Sequence, residues 1–266
     1  MRIVSSPLVP FDAGKPNVAR GYDYVLGGKD NFAADRDLYA EVLRIYPLAG
    51  ALVRENREFQ ARAVDYVARQ GVLQFVKVGS GLPSTLNTHE AAARVSPAAR
   101  VAYVDNDPVV ISHISALLAR PGRIAAVPGD MRCPADLLGR PDLAELIDTS
   151  KPFCVILTLI LDLVDPAQAT RIAGEFRQAL PPGSFFVASV SANKDCDLAE
   201  RMQKAYTAAT MHRHSRPQIA SYFSGLEMVE PGLTEVRRWR AAHPPAADED
   251  RPADVLAGVA RKPPRD

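Results

Sequence analysis

Two kinds of apolar patterning divide the chain. Residues 17–70 read mostly as helix, and within 54–70 Phe59, Ala63, Tyr66 and Val67 fall at i, i+4, i+7 and i+8, one helical stripe. Gly71 stands where a helix takes a left-handed cap. From residue 72 the pattern changes to short, nearly continuous apolar runs at 72–78, 101–104, 124–127, 153–161 and 184–190. Runs of this kind mark strands buried on both faces, as in a parallel sheet. Helix-compatible stretches at 89–94, 108–120, 134–147 and 166–180 separate them. Strand–helix alternation with right-handed crossovers predicts a doubly wound α/β domain. A polar stretch at 195–209 predicts one more helix, and the apolar runs 226–229 and 255–259 are placed to close the sheet as a hairpin joined by a long excursion. Pro7, Pro10, Gly14 and Pro16 break the N-terminus, and 240–253, rich in Pro, Ala and acid, predicts a mobile loop. The expected division is a helical cap over 1–70 and a Rossmann-like domain over 71–266.

Composition narrows the class. With 47% hydrophobic and 24% charged residues, the chain can bury enough surface to order itself. No apolar run reaches the ~18 residues of a membrane span, and the first residues lack the apolar region of a signal peptide. A net charge of +1 gives no global field for nucleic acid or an anionic membrane. The three cysteines, Cys133, Cys154 and Cys196, form no CxxC pair. These features predict a cytoplasmic catalyst of small-molecule chemistry, without nucleic-acid or membrane partners and with its oligomeric state open.

The candidate chemistry gathers at strand ends. Lys77-Val78-Gly79-Ser80-Gly81 closes the first run, and two glycines spaced by one residue allow a tight turn and close approach of backbone to a ligand. Ser84 takes the third position of GxGxxG, so the motif alone is weak. Asp105, followed by Asn106, ends the second run where a ribose-binding carboxylate sits; the alternative is a solvated loop acid. Asp107-Pro108 reads as N-cap and first residue of the next helix. Asp130, after Gly129, could accept the exocyclic amine of adenine while the Met131 N–H reaches a ring nitrogen; its alternative is a helix cap. All three ends converge on one crevice at the carboxyl edge of the sheet.

These segments resemble the class I S-adenosylmethionine-dependent methyltransferases. More narrowly, the chain is similar to an S-adenosyl methyltransferase family formerly catalogued as a domain of unknown function. The matching segments are 16–32, containing Arg20-Gly21-Tyr22-Asp23-Tyr24 and Gly27-Gly28-Lys29-Asp30-Asn31, then Glu55-Asn56-Arg57, Gly81-Leu82-Pro83-Ser84 leading to Asn87-Thr88-His89-Glu90, Tyr222-Phe223 to Pro231-Gly232, and Gly258-Val259-Ala260-Arg261-Lys262. The resemblance implies a Rossmann-like, mostly parallel seven-stranded sheet under an N-terminal helical cap. It implies bound S-adenosylmethionine or S-adenosylhomocysteine and methyl transfer to an acceptor it does not name. The implied cofactor contacts are Gly79, Ser80, Gly81, Asp105, Asn106, Asp130 and Met131; the polar and aromatic N-terminal motif, with Arg20, Tyr22 and Gly28, reads as a lid hinged at Gly27-Gly28 that closes the cofactor pocket, against the alternative of helix capping and surface salt bridges. A nicotinamide-dependent oxidoreductase would share the GxG and the ribose acid but not the N-terminal motif.

The chain departs from the family pattern at Lys77, where an acid usually helps hold the methionyl end of the cofactor. A Lys ammonium opposes both the cofactor's ammonium and its sulfonium, at about 4 kcal/mol per unit charge at ~4 Å and an effective dielectric of 20. Relatives more often show histidine at the position of Asp162, and a Lys77–Asp162 pair across neighbouring strand ends would preserve local charge. Lys77 keeps an alternative open, a methyltransferase-like protein with altered or lost transfer that binds a ligand or runs another reaction in the same pocket.

Asp162 is the first catalytic candidate: a carboxylate after a buried strand could orient an amine or hydroxyl or act as base, against the alternatives of a helix cap or ion pair. His89 is the second, against a structural role at a helix terminus. His212 and His214 alternate, but no third ligand completes a metal set. Arg213, Arg216, Arg237, Arg238 and Arg240 make a basic segment, read as a solvated face rather than an anion patch, with Trp239 placed to stack on one of them.

Overall fold

Asn17 opens α1 (Val18–Val25), its side-chain oxygen accepting the N–H groups of Ala19 at 2.8 Å and Arg20 at 3.1 Å. The computed structural model describes residues 11–193, 195–245, 251 and 253–264. α2 (Ala33–Ile45) follows, then α3 (Ala49–Arg69), which ends at Gly71 with φ +86° as the sequence predicts. One carboxylate ties the first two helices together. Asp35 accepts the N–H groups of Asn17 and Phe32, both at 2.8 Å, and pairs with the buried Arg20 Nε at 2.9 Å.

The parallel strands are β1 (Gln74–Val78), β2 (Arg100–Asp105), β3 (Ile124–Pro128), β4 (Cys154–Thr158) and β5 (Phe185–Asn193). The long β8 (Ala253–Arg261) closes the sheet antiparallel to β5, and two short strands, β6 (Glu227–Met228) and β7 (Thr234–Glu235), pair antiparallel to β8. The order is β3-β2-β1-β4-β5-β8-β6, with β7 also on β8. The sheet thus has eight strands rather than the expected seven, because the excursion after β6 returns to β8 before leaving again. β1 lies between β2 and β4, where the strand order reverses. That switch point is where ligands bind in open α/β sheets.

The crossover helices are α4 (Thr88–Ala93), α5 (Pro108–Leu117), α6 (Pro134–Leu138), α7 (Pro141–Ala144) and α8 (Pro166–Ala179), followed by α9 (Cys196–Ala205) and α10 (Arg216–Ser221). Asp107 caps α5 by accepting the Val109 N–H at 2.8 Å, with Pro108 at the first position. The single helix expected over 134–147 is two, because Gly139 ends α6 and Pro141 starts α7. The run 153–161 also breaks early. β4 stops at Thr158, Leu159 takes φ 50°, and a 3-10 turn, Leu161–Leu163, carries Asp162. The helix expected over 195–209 stops at Ala205. Within the loop expected at 240–253, residues 246–250 and 252 lie outside the described residues.

Alternation along the strands builds two core layers. Val76, Ala102 and Val155 face Ile172 and Phe176 of α8. Phe75, Val101 and Ile156 face Phe59, Val64 and Val67 of α3 together with Trp239. Each buried Val, Ile or Phe side chain among them contributes about 1.5–3 kcal/mol by leaving water. α3 is therefore a covering layer of the sheet, and Lys77, sharing the face of Phe75, points to the α3 side.

Candidate active site

The turn after β1 depends on its glycines. Gly79 and Gly81 have φ of +62° and +65°, and a Cβ on Gly79 would come within 2.2 Å of the Ile160 side chain. The turn brings the Gly81 N–H to 3.0 Å from Asp105 Oδ2, with Ser80 Oγ at 3.4 Å, while Asp105 Oδ1 accepts the Asp107 N–H at 3.0 Å. Burial raises the Asp105 carboxyl above the usual range, and those backbone N–H groups work against it.

Two connected clefts meet at this turn. The outer one, about 180 Å³, is lined by Asn106, Asp130, Met131, Ile160 and Leu163, among others. Arg132 holds the Asp130 carboxylate through Nε at 2.9 and 3.0 Å; burial alone would raise Asp130, but Arg132 outweighs it and the net shift is downward. The inner cleft, about 270 Å³, runs over Gly79, Ser80, Gly81 and Asp105 to Arg57, Gln60, Lys77 and Thr158. The strand-end residues expected at a nucleoside, Gly79, Ser80, Gly81, Asp105, Asn106, Asp130 and Met131, all line one or both clefts.

α3 supplies a polar row to this floor. Gln60 accepts the Thr158 hydroxyl at 2.9 Å and donates to Thr158's neighbour in the network, Thr88, at 3.1 Å. Asn56 accepts the Ser189 hydroxyl at 2.7 Å and donates to the Tyr22 hydroxyl at 3.0 Å. Arg57 lies against the Tyr22 ring, 5.4 Å from its centroid. Arg57, Gln60 and Thr158 were not among the expected site residues; for Arg57 and Gln60 the signal was polar side chains buried on the α3 face that packs on the sheet, and for Thr158 a hydroxyl inside an apolar run.

Lys77 does not pair with Asp162. It is 2% exposed, and its Nζ donates to Thr158 Oγ1 at 2.8 Å and to the carbonyls of Gly79 and Val78 at 3.3 and 3.5 Å. Burial, with Arg57 nearby, lowers the Lys77 pKa to about 7. Asp162 lies in the 3-10 turn beyond Thr158 instead. Its Oδ1 accepts the Ser191 N–H at 2.8 Å, and its Oδ2 is buried without a hydrogen-bond partner among the described residues. Burial pushes its pKa up to about 6.

A third chamber, about 470 Å³, adjoins the inner cleft across Val18, Tyr22, Leu159 and Leu163, which line both. Its walls are largely apolar and aromatic, from Tyr39, Val42, Tyr46, Leu198, Met202 and Tyr206, with Asp162 set among them. Tyr39 and Tyr206 share a hydroxyl contact of 3.2 Å. These residues come from separate helices, so no local motif announced them.

Other expected residues stand elsewhere. His89 turns to Tyr103 of β2, with Nδ1 2.8 Å from the hydroxyl, and lines none of these three cavities. Arg20 is held by Asp35 and by the carbonyls of Lys15 and Asp12, so it braces the N-terminal segment rather than the clefts. Gly28 packs against the Asp23 carboxylate, which accepts the Asp30 N–H and the Asn31 amide, and serves that turn. Tyr24 packs in the α2 cluster and Lys29 is exposed. His214 contacts the Tyr222 hydroxyl, and no group of three His, Cys, Asp or Glu among the described residues is arranged for a metal. Arg216, Arg237, Arg238 and Arg240 bind backbone carbonyls or Glu235, and Arg240 lies 5.8 Å from the Trp239 ring centroid. No described helix is long and apolar enough to cross a membrane.

A family model described as S-adenosyl methyltransferase matches residues 6–263. The chain belongs to the S-adenosyl methyltransferase family. A Thermobifida fusca protein described as a candidate methyltransferase is 36% identical, with 95% of this chain and 97% of that one covered at a TM-score of 0.88. A DUF574 family protein from Streptomyces avermitilis is 35% identical over 95% of this chain and 99% of that one, at a TM-score of 0.86. The magnesium protoporphyrin IX methyltransferase of Synechocystis, crystallised with S-adenosylhomocysteine, is 11% identical over 91% and 93% of the two chains and, at a TM-score of 0.53, shares the fold. No curated protein matches the chain significantly. The clefts fit the family's cofactor: the open turn at Gly81, where a Cβ would meet nothing within 4 Å, and the buried Asp105 suit a ribose, and the Asp130–Met131 wall suits a purine.

Proposed function

We propose that the protein transfers a methyl group from S-adenosylmethionine to an apolar small molecule held in the chamber beyond Tyr22. The observation that carries this reading is the adjacency of that chamber to the nucleoside clefts across a shared wall. When bound, the cofactor supplies an electrophilic methyl on its sulfonium. Asp105 is assigned to the ribose hydroxyls, Asp130, Asn106 and Met131 to the adenine, and Gly79, Ser80 and Gly81 to the backbone path between them. Leu159, Leu163 and Tyr22 exclude water where the two ligands meet, and alignment rather than acid–base chemistry supplies most of what an in-line displacement needs. Asp162 is assigned to the acceptor, whose N–H or O–H its free oxygen can receive; with a pKa near 6 it can hold the departing proton. His89 has no part in this scheme, because its ring is engaged by Tyr103.

A second reading, ligand binding without methyl transfer, is favoured by Lys77 alone. Calorimetry and a labelled-methyl assay separate the two. Asp105→Ala should weaken S-adenosylhomocysteine about 10- to 100-fold through lost charge-assisted hydrogen bonds. Asp162→Asn should leave that affinity unchanged and slow methyl transfer to a responsive acceptor. If neither S-adenosyl compound binds the wild-type protein, the methyltransferase assignment fails. Binding with no transfer to a broad panel of aromatic amines and phenols would favour the second reading.

A further inference from the structure

The inner end of the cleft holds two basic side chains, Arg57 and Lys77, that no carboxylate among the described residues pairs with. Arg57 is 7% exposed, its Nε is buried without a hydrogen-bond partner, and no carboxylate lies within ion-pair distance of its guanidinium among the described residues. Its contact with the Tyr22 ring leaves the planar edge of the fork unused. Lys77, also lining this end, is held by neutral oxygens alone. A guanidinium taken out of water without partners is costly, and a carboxylate meeting its fork in two hydrogen bonds would relieve that cost.

The groups facing Lys77 are few. α3 presents Arg57 and Gln60, β4 presents Thr158, and β2 presents Asp105. Asp105 is engaged by the Gly81 and Asp107 N–H groups. Asp107, in the same cleft, is engaged by Val109 N–H and the Asn17 amide. The local balance is therefore positive at the end of the cleft away from Asp130.

We propose that Arg57 and Lys77 form a carboxylate subsite, and that it takes the carboxylate of the amino-acid tail of an S-adenosyl compound. The proposal rests on the cofactor assignment above and reverses the expectation for Lys77. The lysine repels the tail's ammonium, so the tail enters with its carboxylate inward, where Arg57 supplies the hydrogen bonds and Lys77 the second charge. A carboxylate beside Lys77 favours its ammonium form, so binding near neutral pH draws in a proton.

The test compares S-adenosylhomocysteine with 5′-methylthioadenosine, which keeps the nucleoside and thioether but lacks the amino-acid tail. Both are titrated by calorimetry at pH 7.5 in buffers of different ionisation heat, which reads the net protons exchanged. Arg57→Met should weaken S-adenosylhomocysteine at least ~10-fold and leave 5′-methylthioadenosine unaffected, which also shows that the variant is folded. Arg57→Lys, keeping charge but losing the fork, should fall between. Wild-type protein should take up protons with S-adenosylhomocysteine and none with 5′-methylthioadenosine, and Lys77→Met should abolish the uptake. Equal weakening of both ligands by Arg57→Met, unchanged S-adenosylhomocysteine affinity, or proton release on binding would each overturn the subsite. If 5′-methylthioadenosine binds while those expectations fail, the subsite alone is lost; if neither compound binds, the cofactor assignment falls with it.

Discussion

Lys77 illustrates what a single side chain does when its partner is neutral. A charge-balance argument from sequence looks for an opposite charge and finds Asp162, but in the fold the lysine reaches the Thr158 hydroxyl, and Asp162 turns toward Ser191. Residue spacing could not reveal this, because β4 ends before Asp162 and a positive-φ residue intervenes. The buried ammonium has a consequence for stability. Its pKa is about 7 in the folded protein against 10.5 when exposed, so the unfolded chain binds more protons between those values and stability rises with pH across that window. Below pH 7 the full penalty is present. Lys77→Met removes the charge at the loss of the hydrogen bonds to Thr158, Gly79 and Val78, so it should be more stable than wild type by about 1–3 kcal/mol near pH 7, with the gap closing toward pH 10. Urea unfolding at several pH values reads the difference; a gap independent of pH would show that the Lys77 pKa is the same in the folded and the unfolded chain.

At the scale of elements, the strands were legible because each is a continuous apolar run sandwiched between helices, and α3 because its stripe is regular. The boundaries that failed have local causes: Gly139 and Pro141 divide 134–147, and Leu159 ends β4 early. The specific N-terminal motif was legible as important, but not how. Arg20 and Asp23 hold turns and helix starts, while Tyr22 alone of the three expected cofactor residues there reaches the clefts. Asp35 carries much of that arrangement, receiving N–H groups from both helix starts and the Arg20 guanidinium in full burial. Asp35→Asn leaves Arg20 buried without its counter-charge, and should cost about 3–5 kcal/mol. With that joint weakened, α1 and α2 should lose amide hydrogen-exchange protection ahead of the sheet in this variant, Asn17 then being held chiefly by its bond to Asp107. Uniform loss over all strands would show that the first two helices are not a separable unit.

For the whole molecule, the site is assembled from parts far apart in the chain. Strand ends of β1, β2 and β3 make the two clefts proposed for the nucleoside, and these were readable because topology alone brings them to one edge. The chamber beyond was not readable, since Tyr39 of α2 and Tyr46 at its end lie far along the chain from Tyr206 at the end of α9, 167 residues in the case of Tyr39, and meet it only through packing. Ligand binding across so many elements should stabilise the molecule as one body. S-adenosylhomocysteine at 100 times its dissociation constant adds about 2.7 kcal/mol, expected to raise the Tm by about 5–10 °C. A scan with and without ligand tests this, and an unchanged Tm at confirmed saturation would mean that the unfolded chain binds equally well.

Tyr22 stands between the inner cleft and the apolar chamber, the two spaces proposed for the two ligands, its hydroxyl fixed by Val53 and Asn56 and its ring against Arg57. Whatever an occupant on one side does to this ring is felt on the other. Thermodynamic reciprocity then fixes the bargain between them: by whatever factor the nucleoside ligand changes acceptor affinity, the acceptor changes nucleoside affinity by the same factor. One aromatic side chain thus ties the two affinities together symmetrically and favours neither order of entry.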